Sequence, residues 1–268
     1  MESFRLKNII ILILALMNLF LLASLYGRAS ARQESQDRTR QQLVELFSSD
    51  SARIALDGDV ISFQMPPAGG TLTRDVVHDQ TVATLLLGEG LLRSDQGGGI
   101  YSYENSTGAA VFRSGGNFDA TLRLSNSEEA QALFRSFCKE FQYEETAVEN
   151  GETFTASAVR AYNGYRVINS TVTFQTSDDA LHVSGTYLPD TLASADREDA
   201  LSGPSALTAF LNTRREMGAV ISAVTDMYPC YELQSTAAAP MTLVPAWCIE
   251  TDAGFYYVNC YTGAVTHE

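Results

Sequence analysis

The feature that most constrains this chain is an apolar run near its N-terminus, residues 8–26. Between Ile9 and Leu25 only Asn18 and Ser24 are polar. At about 1.5 Å per helical residue the run nearly spans a hydrocarbon core of roughly 30 Å. Nothing in it is polar enough to give a buried core helix a water-facing side. The run therefore predicts a transmembrane helix that serves as a signal anchor.

Flanking residues predict the orientation of this anchor. Arg5 and Lys7 precede the run, so the positive-inside tendency places the N-terminus in the cytoplasm and the remaining chain outside. A secretory signal cleaved after Ala31 is the alternative, because Ala29-Ser30-Ala31 has the small-residue form of a cleavage site. The apolar run is longer than the roughly 7–15 residues of a signal peptide, which favours the retained anchor. We expect a single-pass cell-membrane protein whose bulk is extracytoplasmic.

Charge and composition limit the partners of the outer region. The chain has 18 Lys and Arg residues against 32 Asp and Glu, for a net charge of −14. Such acidity opposes contact with phosphate groups, so nucleic-acid binding is excluded. A hydrophobic content of 45% favours packed cores over disorder. The length beyond the anchor is sufficient for one large domain or two ordinary ones.

Helix and strand patterns alternate along the rest of the chain. A polar juxtamembrane helix is predicted up to Phe47, and further helices are predicted from Asp75 to Gly88 and from Pro204 to Gly218. A helix from a Ser125/Glu128 capping box to Phe141 is predicted to be amphipathic, because its apolar residues recur at helical spacing. Strands are predicted around the Asp57-Gly58 turn and over 99–103, 109–114, 118–124, 153–162, 165–176, 180–188, 220–227, 228–235, 242–251 and 255–266. Asn163-Gly164, between two of these strands, predicts a hairpin turn.

This order predicts an α+β fold, in which a single N-terminal transmembrane helix precedes units of antiparallel sheet packed against helices. The predicted divisions are a cytoplasmic tip and anchor over 1–28, a juxtamembrane stalk over 29–50, a first α+β unit over 51–146 and a second over 147–268. No internal identity is strong enough to define a sequence repeat.

Residues with catalytic chemistry form no recognisable motif. The three histidines, His78, His182 and His267, stand alone, and nucleophile-elbow, P-loop and GxGxxG spacings are absent. Acidic pairs fall in predicted turns or helix ends, where local solvation explains them: Asp57/Asp59, Glu144/Glu145 and Asp178/Asp179. We predict no catalytic, cofactor or metal site and no enzymatic activity. An enzyme would need His78 or His182 beside a carboxylate pair in a pocket.

Two patterns bear on covalent modification. The four cysteines have no metal-ligand spacing and are predicted to be buried free thiols: Cys138, Cys230, Cys248 and Cys260. A Cys230–Cys248 disulfide is the alternative if residues 228–235 and 242–251 pair outside the cytoplasm. Asn105 and Asn169 begin glycosylation patterns, which also arise frequently by chance.

Three separated stretches resemble a known family. Residues 243–249, with Pro245-Ala246-Trp247, and residues 254–265, with Asn259 and Thr262-Gly263, resemble the closing hairpin of PepSY-like domains. Residues 162–172, which begin Tyr-Asn-Gly-Tyr, resemble the same superfamily, and residues 1–22 resemble the N-terminus of YycI proteins. The chain is thus similar to the YycI/YycH family.

This resemblance implies a membrane-anchored extracytoplasmic regulator with PepSY-like domains and no catalytic residues. Its implied partners are a cell-wall sensor histidine kinase of the WalK/YycG type, which it modulates by contact, and a YycH-like co-regulator. The alternative is a PepSY-type binding or inhibitory module that acts on an extracytoplasmic peptidase or peptide.

Two sets of residues are candidates for partner contact. Small and polar positions of the membrane helix can pack against another helix, where a hydrogen bond from Asn18 contributes about 1 kcal/mol: Asn18, Ala15 and Ala23. Aromatic residues of the last hairpin can line a groove beside an edge strand that accepts an extended segment: Trp247, Phe255, Tyr256 and Tyr257. The alternatives are a tolerated polar residue at Asn18 and a core role for the aromatic residues.

Overall fold

The structure is a computed structural model that describes residues 2–50, 53–124, 126–151, 153–177, 180–189, 192–194, 200–236 and 239–267. Within these ranges the helices are α1 (Glu2–Ser49), α2 (Val76–Leu87), α3 (Ser127–Glu140) and α4 (Gly203–Met217). Their ends agree with the helices predicted from Asp75 to Gly88 and from Pro204 to Gly218. Asp75 caps α2 through a bond from Val77 N–H, and Gly218 ends α4 with a left-handed φ of 64°.

Helix α1 corrects the predicted fold class. The apolar run and the polar stalk form one uninterrupted helix that ends at Ser49, and its last turns bury Leu43 and Phe47. Within the described residues, none of the helices combines the length and the apolar character needed to cross a bilayer. The fold class with a single transmembrane helix is therefore wrong. The apolar run is part of a longer helix whose second half is polar and whose C-terminal end packs into the body of the chain.

The first sheet consists of eight strands, all antiparallel. They are β3 (Leu92–Gly97), β4 (Ile100–Glu104), β5 (Gly108–Phe112), β6 (Asn117–Arg123), β7 (Tyr143–Asn150), β8 (Phe154–Tyr162), β9 (Tyr165–Ser177) and β10 (Ala180–Thr186). Their spatial order is β3-β4-β5-β6-β10-β9-β8-β7. Strand β7 contains the predicted boundary between residues 146 and 147, and β6 pairs with β10 across that boundary. The division into two units stays a prediction.

Helices α2 and α3 cover one face of the first sheet. Strand β6 alternates buried and exposed residues, so Phe118, Ala120 and Leu122 all face these helices. On α3, Phe137 is fully buried, and its ring lies 5.5 Å from that of Phe174. The amphipathic helix that the sequence predicts here is confirmed.

The cap of α3 differs from the predicted one. Asn126, not Ser125, is the N-cap, since its Oδ1 accepts a bond of 2.8 Å from Glu129 N–H. Ser125 lies outside the described residues, as do Asp178 and Asp179. The predicted Asn163-Gly164 hairpin is confirmed: both residues have positive φ, 50° and 80°, as a type I′ turn requires.

The second sheet contains the remaining strands and is mixed. They are β1 (Ala55–Leu56), β2 (Gly70–Leu72), β11 (Leu192–Ser194), β12 (Ala223–Thr236), β13 (Ala239–Thr251), β14 (Gly254–Asn259) and β15 (Val265–His267). Strands β12 and β13 pair along most of their length, and β14 and β2 share the other side of β13. Strand β12 replaces the two strands predicted over 220–235. Around Asp57 the predicted strands give way to a 3-10 helix, Gly58–Val60, that Asp57 caps.

Helix α4 and the end of α1 pack on one face of the second sheet. Their core includes Phe47, Phe210, Trp247 and Tyr256, all buried. An ion cluster also joins the two helices, in which Asp50 accepts bonds of 2.9 Å from Arg214 and 2.6 Å from Arg215.

The two sheets are joined where β9 runs parallel to β12. Val167 pairs with Tyr231 there, and both are buried in a small cluster with Leu243. Two further bonds reinforce the junction, because the side chain of Asn169 both accepts from Leu233 N–H and donates to Leu233 C=O, each at 2.7 Å. The predicted separate antiparallel sheets are therefore parts of one mixed sheet.

Candidate binding cleft

A cleft of about 430 Å³ opens beside this junction and receives side chains from both sheets. Its charged and aromatic lining residues are Glu144, Tyr165, Arg166, Asp226, Tyr228 and Glu250. They come from β7 and β9 of the first sheet and from β12 and β13 of the second. We refer to this site as the junction cleft. A ligand bound there would contact both sheets at once.

The side of the cleft formed by the first sheet is held by an ion pair. The Asn163-Gly164 turn places Tyr165 and Arg166 at the start of β9. Arg166 Nε donates to Glu144 Oε2 at 2.7 Å, and this hydrogen bond raises the pKa of the guanidinium. Both side chains are about half exposed, so the pair contributes at most about 1 kcal/mol to stability.

The second sheet contributes two carboxylates at directly opposite positions. Asp226 on β12 lies directly opposite Glu250 on β13, and both line the cleft. Directly opposite residues in a sheet have Cβ atoms about 4.5–5.5 Å apart, where like charges are destabilising. Neither carboxylate forms an ion pair within the described part of the chain. The free protein therefore places two carboxylates side by side at this site.

Tyr228 lies two residues from Asp226 on β12 and so on the same face of the sheet. It pairs with Cys248, which is fully buried. Burial above all, together with interactions with Cys248 and Glu250, raises the pKa of Tyr228, and burial raises that of Cys248 to about 12. Both groups are neutral at pH 7, so Arg166 and the three carboxylates supply the charge of the cleft.

The four aromatic residues predicted to line a groove are divided between two faces of the second sheet. Trp247 and Tyr256 belong to the core, and Trp247 Nε1 donates to Leu201 C=O at 2.9 Å. Phe255 and Tyr257 lie on the opposite face, which is the cleft face, since they pair with Glu250 and Cys248. Phe255 is 42% exposed. The structure thus brings two of the four residues toward the cleft.

The other predicted contact residues lie on α1, far along the chain from the cleft strands. Asn18 and Ala23 are exposed, and the side chain of Ala15 is outside the described part of the structure. Their role as membrane-helix contacts stays a prediction.

The histidines occupy three separate places. His78 lies on α2, with Nδ1 3.6 Å from an Asp75 carboxylate oxygen, and His182 lies on β10 beside Thr121. His267 packs against the ring of Tyr256. None of the three lines the junction cleft. Among the described residues, no group of three or more His, Cys, Asp or Glu side chains is placed to hold a metal ion.

The structure places the four cysteines and the two asparagines that begin glycosylation patterns. All four cysteines are buried and free, which confirms the predicted thiols. Cys230 lies opposite Ala246 rather than Cys248, so the alternative disulfide is not formed. At the glycosylation patterns, Asn105 Nδ2 donates to Leu87 C=O at 2.9 Å, and Asn169 Nδ2 donates to Leu233 C=O at the sheet junction.

Sequence reasoning missed most of the residues that line the cleft. The sequence predicts Glu144 in a turn or helix end, but it lies on edge strand β7. Asp226 and Tyr228 are two residues apart on β12, and Glu250 follows a mainly apolar stretch of β13; this spacing is the available signal. Their meeting depends on the register of β12 against β13, which the sequence does not specify by itself.

Comparison with known proteins gives little further information. No protein-family model matches the chain, and no curated protein matches it. A solved structure described as an uncharacterized protein from Eubacterium rectale ATCC 33656 is similar, with a TM-score of 0.48 and 11% sequence identity. The match covers 76% of this chain and 86% of the other.

Proposed function

We propose that this chain regulates another protein by binding it, and that the junction cleft is the binding site. The observation that most supports the proposal is the facing pair Asp226 and Glu250. Like charges directly opposite each other in a sheet lower the stability of the free chain. Locally unfavourable pairs of this kind are expected at functional sites. Exposed Phe255 beside Glu250 adds apolar contact area.

The proposed partner is the extracytoplasmic part of a sensor histidine kinase of the WalK/YycG type, together with a YycH-like co-regulator. This identity comes from the YycI/YycH resemblance and stays a prediction. The cleft supports the less specific part of the proposal, which is contact with a protein surface. Its two sides belong to different sheets, so a bound segment would bridge β9 and β12 near their pairing at Val167 and Tyr231.

The test is the autophosphorylation rate of such a kinase in proteoliposomes, with and without the full chain on the extracytoplasmic side. We expect the wild-type chain to change the rate and the double variant Asp226→Asn/Glu250→Gln to lose most of that effect. Glu149→Gln is the matched control, because Glu149 is exposed on β7 and does not line the cleft. An unchanged rate with the wild-type chain would refute the kinase proposal.

A PepSY-type inhibitory module is the second candidate, and exposed Phe255 favours it. In this case a peptidase segment would lie across the cleft face near Phe255 and Tyr257. Within the described residues, the edge strand beside the last hairpin is β15, which has three residues. A peptidase segment that added a strand there would therefore pair with three residues at most. The distinguishing measurement is the rate of peptide hydrolysis by an extracytoplasmic peptidase, which the wild-type chain would slow and Phe255→Ala would restore.

A further inference from the structure

The edge of β12 that borders the junction cleft is poor in hydrogen-bond donors. Met227 N–H donates to the carboxylate of Asp226 at 2.7 Å and not to β13. Main-chain groups alternate in direction along an antiparallel strand, so those of Pro229 and Leu233 also point away from β13. Pro229 has no N–H, and Leu233 N–H bonds to Asn169. An added strand would therefore find few donors at this edge.

Hydrogen-bond acceptors, in contrast, are concentrated at this edge of β12. The alternation that directs the Met227 amide outward also directs the carbonyls of Met227 and Pro229 toward this edge. The carboxylates of Asp226 and Glu250 lie beside them. A matching ligand must supply several donors and positive charge.

Two tyrosines line the cleft. Tyr165 and Tyr228 both line it, and the face of a tyrosine ring attracts a guanidinium or ammonium group. The cleft already accommodates one guanidinium, that of Arg166, which Glu144 holds at 2.7 Å. Asp226 and Glu250 form no ion pair within the described residues, and Glu250 interacts with the neutral Tyr228. The net charge of −14 would also draw a cationic ligand toward the chain.

We infer that the junction cleft recognises an arginine side chain presented by the partner polypeptide, an inference that rests on the proposed function. The guanidinium would lie between Asp226 and Glu250, where its donor fork satisfies both carboxylates and removes their repulsion. Lysine carries the same charge without the planar fork, so it would bind more weakly.

Calorimetric titration of the full chain with a blocked peptide, acetyl-Gly-Arg-Gly-amide, tests this inference. The matched ligand is the citrulline peptide, which keeps the shape but lacks the charge. We expect the citrulline peptide to bind about tenfold more weakly, because charge-assisted hydrogen bonds are lost. The variant Asp226→Asn/Glu250→Gln should weaken arginine-peptide binding by a similar factor, and Glu149→Gln should not.

Amide chemical-shift mapping on the wild-type chain provides a test that needs no variant. Shifts from the arginine peptide should centre on Asp226, Tyr228 and Glu250. Equal affinity for the two peptides, or shifts elsewhere on the chain, would overturn the inference. If the chain regulates its partner through the cleft but shows no preference for arginine, this inference fails and the proposed function stands.

Discussion

Replacing Asp50 by Asn tests whether a buried ion cluster fixes the end of α1 to α4. The Asp50 residue is only 5% exposed, and its two carboxylate oxygens accept bonds from Arg214 at 2.9 Å and Arg215 at 2.6 Å. Arg214 is 9% exposed, so it depends on this carboxylate for compensation of its charge. The substitution keeps the shape of the side chain, removes the negative charge and replaces one acceptor oxygen by an NH2 donor.

The size of the effect follows from the burial of the partners. Breaking a buried ion pair by removing one charge costs about 3–5 kcal/mol, because the other charge is left uncompensated. The Arg215 side chain is 44% exposed, so its bond adds little to this loss. At about 2–4 °C per kcal/mol for a chain of this size, the melting temperature should fall by about 6–20 °C.

Urea unfolding followed by circular dichroism measures the loss. The control is Glu34→Gln, which removes an exposed pair with Arg38 on α1 and should change stability by at most about 1 kcal/mol. If Asp50→Asn proves no more destabilising than this control, the ion cluster does not hold α1 in place and the reasoning is refuted.

Three further predictions concern the cores and a helix end. Phe137→Ala should lower the free energy of unfolding in urea by about 3–5 kcal/mol, since it empties a fully buried site. Phe255→Ala should lower it by under about 1 kcal/mol, because Phe255 is exposed. Similar losses for the two variants would contradict the assigned burial. Gly218→Ala should cost about 1 kcal/mol because of its φ of 64° alone, as nothing lies within 4 Å of the added Cβ. Burial raises the pKa of Cys138 and Cys260 to about 12, so these thiols should resist alkylation in the native state. For the same reason, their contribution to folding stability should be complete below pH 9 and should fall toward pH 12. Rapid alkylation of the native chain at about pH 8 would contradict this.

Local signals in the sequence predicted much of the secondary structure. Asn163-Gly164 predicted its hairpin because few other dipeptides tolerate two positive φ angles, and the apolar spacing around Phe137 predicted α3. These signals depend on neighbours within a few residues. The pairing of β6 with β10 joins residues about sixty positions apart, and no local pattern specifies it.

The corrected fold class has a physical cause as well. The apolar run of residues 8–26 predicts a membrane helix when taken by itself, whereas the structure continues it into the polar and packed half of α1. Strand alternation sends Tyr256 to the core and Tyr257 to the cleft face, which residue type alone does not specify. The partner groove itself stays a prediction. The cleft itself could not be predicted, because it requires the register that sets Asp226 opposite Glu250.

Thermal unfolding of Asp226→Asn beside the wild-type chain, with and without the arginine peptide, tests the central claim most directly. The variant keeps an acceptor oxygen for Met227 N–H and removes one of two facing charges. Without peptide, the variant should be more stable by about 0.2–1 kcal/mol. With peptide, the wild-type chain should gain more stability than the variant. A variant no more stable than the wild type, together with equal gains from the peptide, would contradict the account.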